Sequence, residues 1–209
     1  GGRRTAPDPG TLAALPATAP RGAAALAVLY AVTFSLAHFL SAAMSAHLIG
    51  LLTGLGVAAS GAVWIGAFRG IGQVTGRLGQ VLLGSRVHPL DVNALAMLCL
   101  PVAFGVGLFA GASPVAAGIF VFVYGVGHGV LAITQGTLPL VLFGHRGYGA
   151  FVGRLLVPGF VLSAVAPLVF AFVIERFGES RAMGLAMALA GLAFGSALVL
   201  KLASHRGRA

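Results

Sequence analysis

The chain has 209 residues, 58% of them hydrophobic and only 8% charged, with a mean hydropathy of +1.01. A soluble domain carries roughly 25% charged residues, so this chain lacks the polar surface to face water and reads as an integral membrane protein. Its net charge of +9 would point to nucleic acid in a soluble protein, but the basic residues fall in tails and loops between apolar segments, which excludes that partner.

Residues 1–22, GGRRTAPDPGTLAALPATAPRG, combine Pro, Ala, Gly and Arg without helical periodicity and are expected to form a flexible, solvated segment. They have no apolar core of the signal-peptide kind. With no initiator Met, they read as the end of a linker in a longer chain. Six apolar segments follow, at about 23–49, 57–83, 90–110, 115–143, 150–174 and 181–200. Each has the roughly 20 residues that a helix needs to cross hydrocarbon. The breaks GLLTGLG, GSRVHP, GASP, GHRGYG and RFGES are short and carry turn residues. The alternating ten-residue pattern of an outer-membrane barrel is absent. The fold class is thus all-α membrane protein, with a six-helix bundle over 23–201 and a basic tail at 202–209.

Arg3, Arg4 and Arg21 precede the first span. Arg77, Arg86, Arg146 and Arg154 flank the loops after the second and fourth, and Lys201, Arg206 and Arg208 lie at the end. The opposite side carries only Arg176 and Arg181, offset by Glu175 and Glu179. The bias of basic residues places both termini in the cytoplasm. The lone cysteine, Cys99, has no partner within the chain. Twelve arginines against one lysine, with abundant Ala and Gly, suggest a bacterial source and therefore an inner membrane.

Arg69 lies near the middle of the second span, on a face shared with Gly66, Gln73 and Gly76. An arginine at the bilayer centre costs at least about 2.5 kcal/mol unless it meets water, an anion or a partner. The four acids, Asp8, Asp91, Glu175 and Glu179, all lie in tails or at span ends. Arg69 is therefore expected to face a wet cavity, where its planar fork suits a carboxylate or phosphate. The alternative is a structural arginine held by backbone carbonyls or by an acid on another bundle. The first span aligns Ser35, His38, Ala42 and Ser45, and the fourth aligns Tyr124, His128, Leu131 and Gln135. His38 and His128 fall at similar depth, either as packing residues or as walls of one cavity able to move a proton. Gly125 and Gly129 have the spacing that lets membrane helices approach closely.

Together, these six spans, their orientation and three loop segments resemble the C-terminal half, helices seven to twelve, of a bacterial major facilitator superfamily transporter. The segments are SAHLIGLLTGLGVAASGA (45–62), GRLGQVLLGSR (76–86) and LPLVLFGHRGYGAFVGRLLVPG (138–159). In the second, Gly76, Arg77, Gly84 and Arg86 match the family's short loop signature, with Ser85 where an acid commonly stands. The resemblance implies a half-bundle in which spans one, two, four and five line a central cavity. It also implies secondary active or facilitative transport by alternating access, completed by an N-terminal six-helix half or a second copy. Carriers of carboxylates in this superfamily use an arginine in the corresponding helix, and Arg69 is similar. The expected substrate site comprises Arg69, Gln73, His38, His128, Tyr124 and Gln135, and takes a small, anionic solute with no cofactor or metal. Alternatives are a drug or metabolite efflux carrier on the same fold and, remotely, a haem-binding electron carrier using His38 and His128. Catalysis is not expected. The serine segments AASG (58–61) and GASP (111–114) lie at a helix entry and in a turn, and neither fits an intramembrane protease nucleophile.

Overall fold

A computed structural model describes residues 22–83, 86–144 and 148–206, and every element among them is helical. The helices are α1 (Ala23–Gly54), α2 (Ala59–Leu83), α3 (Pro89–Gly107), α4 (Pro114–Phe143), α5 (Tyr148–Phe177) and α6 (Glu179–Arg206). All but α2 are long and apolar enough to cross a membrane, the mark of an integral membrane protein. With 25 residues, α2 has sufficient length. Its apolar sequence is interrupted by Arg69, Gln73, Arg77 and Gln80, spaced so that they form one polar stripe.

Two helices run further than their composition suggests. α1 continues five residues past Ile49, because Leu51 and Leu52 are fully buried and extend its packed face. α6 carries the start of the expected tail as helix, with His205 and Arg206 in its last turn, where cations suit the negative end of the helix dipole. Between α5 and α6 the chain turns on Gly178 alone. Its φ of 83° is left-handed, a conformation glycine adopts without steric cost.

Packing follows a paired pattern. α2 lies mainly on α4, and α5 lies mainly on α1; α3 packs on α4, α6 packs on α1, and α3 meets α6. Exchanging α1 with α4, α2 with α5 and α3 with α6 maps this pattern onto itself. The short connections make successive helices alternate in direction, so the exchanged helices run in opposite senses. The two ends of the bundle bear this out. At one end Gly54 abuts Glu179, and Gly111 abuts the Leu55 carbonyl. At the other, Lys201 Nζ of α6 reaches Asp91 Oδ1 of α3 at 2.7 Å.

The α2–α4 seam is built on glycine. A Cβ at Gly72 or Gly76 would strike the carbonyl of Phe122 or Val126. A Cβ at Gly125 or Gly129 would strike the carbonyl of Arg69 or Gln73. Each helix thus presents two small residues four apart to the carbonyls of the other, so the backbones meet directly. Beside the seam, Phe104, Phe120 and Tyr124 form an aromatic cluster with centroids 5.5–6.4 Å apart. α5 buries only a narrow stripe, Val152, Gly159, Ala166 and Phe170. Outside it, Phe160, Leu168 and Phe172 are open.

Candidate functional site

The glycine seam sets the place of Arg69. Its backbone carbonyl rests on Gly125, and its guanidinium carbon lies 5.6 Å from the centroid of the Tyr124 ring. Such cation–π contacts contribute about 0.5–2 kcal/mol, more when shielded from water. Nη2 donates to Ser45 Oγ of α1 at 2.9 Å, and Ser45 Oγ donates in turn to the Ser41 carbonyl at 2.8 Å. The Nε of Arg69 is shielded from solvent and has no hydrogen-bond partner among the described residues. Among the described residues, the Ser45 bond is the one side-chain hydrogen bond that joins α2 to another helix.

Tyr124 is fully buried, and its hydroxyl donates to the Leu40 carbonyl at 3.2 Å. What it presents to Arg69 is therefore ring, not hydroxyl. One turn on, the His128 ring lies nearly parallel to it, 5.7 Å away and 12° off, with Nδ1 buried and unpartnered. Arg69, Tyr124 and His128 thus form one column between α2 and α4.

A second group centres on Gln135. Its side-chain Oε1 lies 2.8 Å from His38 Nε2, so that nitrogen is the donor in this arrangement. Its backbone carbonyl accepts from the Tyr30 hydroxyl at 2.6 Å. Local chemistry explains the second bond. Residue 139 is proline and has no N–H to return to the carbonyl four residues earlier, so the Gln135 carbonyl is left without its helical donor. The fully buried Tyr30 fills the vacancy from α1. Tyr148, at the start of α5, donates to the next carbonyl, that of Gly136. Opposite Gln135, the His38 ring stacks on Phe160 at 5.5 Å. It also passes over Gly159, where a Cβ would come within 2.7 Å of Nδ1.

The residues singled out in the sequence thus fall into two groups joined through α1, which carries both Ser45 and His38 seven residues apart. Gln73 is half-buried with its carbonyl on Gly129. Of the loop signature, Gly76 packs against α4, whereas Arg77 and Arg86 are exposed. Gly84 lies outside the described residues. An apolar groove of about 610 Å³ lies between α2 and α4, lined by Ile65, Phe68, Ile71 and Ile119 among others and by no charged residue.

Three participants were not named as site residues from the sequence: Ser45, Tyr30 and Tyr148. Ser45 was visible as a member of the α1 stripe with His38. Tyr30 had a signal too, since a proline inside a predicted span announces an orphaned carbonyl four residues before it; Tyr148, on the following carbonyl, had none. His47 is a further polar contact, its Nε2 2.9 Å from the Pro167 carbonyl.

No protein-family profile matches the chain, and no curated protein matches it.

Proposed function

We propose that this chain is the C-terminal six-helix half of a major facilitator carrier that moves a small carboxylate-type anion across a bacterial inner membrane by alternating access, with both termini in the cytoplasm. The observation that carries the proposal is Arg69. It lies ten residues into α2, about 15 Å along the helix, in a chain whose few acids lie elsewhere. Among the described residues, its one side-chain bond goes to a neutral serine, and its Nε has no partner. A serine and a tyrosine face orient the guanidinium but leave its charge uncompensated, and a carboxylate ligand would complete it.

The packing pattern supports the same reading. Two three-helix sets that exchange into each other in opposite senses are the arrangement expected of nested inverted repeats in such a half. The open faces of α2 and α5 suit a second bundle, and the basic residues at one end of the spans suit a cytoplasmic side. The test is counterflow by the assembled carrier, this half together with its N-terminal half or a second copy, in proteoliposomes loaded with unlabelled succinate or oxalate and given the ¹⁴C-labelled anion outside. Wild-type protein exchanges one of them, and Arg69→Ala inserts normally but does not. Exchange by Arg69→Ala at the wild-type rate, or exchange of neither anion by the wild type, overturns the proposal.

A further inference from the structure

We infer that Ser45 is the residue that sets the Arg69 guanidinium for its anion, acting from α1 as a neutral positioning residue; this rests on the reading of Arg69 as the anion's partner. An arginine side chain has several free torsions, and α2 by itself fixes none of the outer ones. Two contacts from other helices do so. The Tyr124 ring beneath the guanidinium limits its plane. The Ser45 hydroxyl oxygen, 2.9 Å from Nη2, limits its rotation within that plane.

The direction of the serine bond is itself held. Ser45 spends its one hydrogen on the Ser41 carbonyl a turn earlier, which turns the lone pairs of Oγ toward α2. The hydroxyl therefore accepts from Arg69. It takes one of the guanidinium's five N–H donors and leaves four. A carboxylate at this position would also accept, but it would form an ion pair and cancel the charge that an anion needs. Serine orients without discharging. The same bond is the polar link from α1 to α2, so the anion's partner is held from both helices at once.

The experiment is equilibrium binding of ¹⁴C-succinate and ¹⁴C-oxalate to the full chain in lipid nanodiscs, with melting temperature read on the same samples. Ser45→Ala weakens binding about tenfold, the order expected for losing a hydrogen bond to a charged group. Ser45→Thr, which keeps a hydroxyl able to bond the same carbonyl, stays close to wild type. Ser45→Asp supplies its own carboxylate, melts higher than wild type without ligand, and is not stabilised further by either anion. Wild-type affinity in Ser45→Ala, or an equal loss in Ser45→Thr, overturns the role of Ser45. The control separates the two readings. If Arg69→Ala loses binding while Ser45→Ala does not, only the positioning role fails. If Arg69→Ala binds as well as wild type, or the wild type binds neither anion, the anion reading fails and the inference with it.

Discussion

Replacing Tyr30 by phenylalanine removes one oxygen from a fully buried ring and leaves the ring's packing against Phe34, 4.6 Å away, in place. What is lost is the 2.6 Å bond to the Gln135 carbonyl. Two magnitudes compete for the outcome. Hydrogen bonds between membrane helices average only about 0.6 kcal/mol, because broken partners commonly find others. A buried acceptor left without any donor costs about 1–3 kcal/mol. The second figure applies here, since Pro139 has no N–H to offer that carbonyl and Tyr30 is wholly enclosed. Tyr30→Phe is therefore expected to destabilise the protein by about 1–2 kcal/mol. Pro139→Ala restores a backbone N–H at the right place, so in that background the same change costs only a few tenths of a kcal/mol. Reversible unfolding in mixed detergent micelles, run as a double-mutant cycle, measures both. An equal loss in the two backgrounds, or a loss under about 0.5 kcal/mol in the proline-containing protein, refutes the assignment of Tyr30 as the replacement donor.

Gly125→Ala and Gly129→Ala each force α2 from α4, because the added carbon meets backbone and no side chain can yield. Each should lower stability by about 1–3 kcal/mol or more, while Gly70→Ala, with nothing near its Cβ position, is close to neutral. Thr134→Val removes the 3.1 Å bond to Asn93 Oδ1 between two buried residues and should cost about 1 kcal/mol in the same unfolding assay. Lys201→Ala, by contrast, breaks a 2.7 Å ion pair whose side chains are 34% and 42% exposed, and should cost less than about 1 kcal/mol. A C-terminal fluorescent-protein fusion should be bright and an alkaline phosphatase fusion inactive, since both report a cytoplasmic end.

The helices were readable from sequence because hydrocarbon imposes their length: each apolar segment of about 20 residues has few alternatives. Their ends were less so. Whether Leu51 and Leu52 continue α1 depends on what they bury against, which periodicity does not reveal. Arg69 stood out because its isolation from every acid is a property of the chain order alone. The glycine pair at 125/129 was likewise legible as a small-residue face, although only the packing shows it meeting a second pair, 72/76, each seated on the other helix's carbonyls. Ser45 and Arg69 are 24 residues apart. Their meeting depends on the depth and rotation of α1 and α2, which apolar composition leaves free. Tyr124 shows the same limit. Its hydroxyl looked like a cavity group but is spent on the Leu40 carbonyl, and the ring is what faces the arginine.

The most direct measurement of the central claim is a titration of succinate and oxalate into the purified protein, followed by ¹⁵N resonances of the arginine Nε–H groups. Assignment comes from the one signal missing in Arg69→Lys. The Arg69 Nε–H, buried and unpartnered in this structure, should shift saturably with one of the two anions, while signals of exposed arginines such as Arg77 and Arg86 move little. An Arg69 signal that stays fixed while either anion reaches high concentration would contradict anion binding at this site.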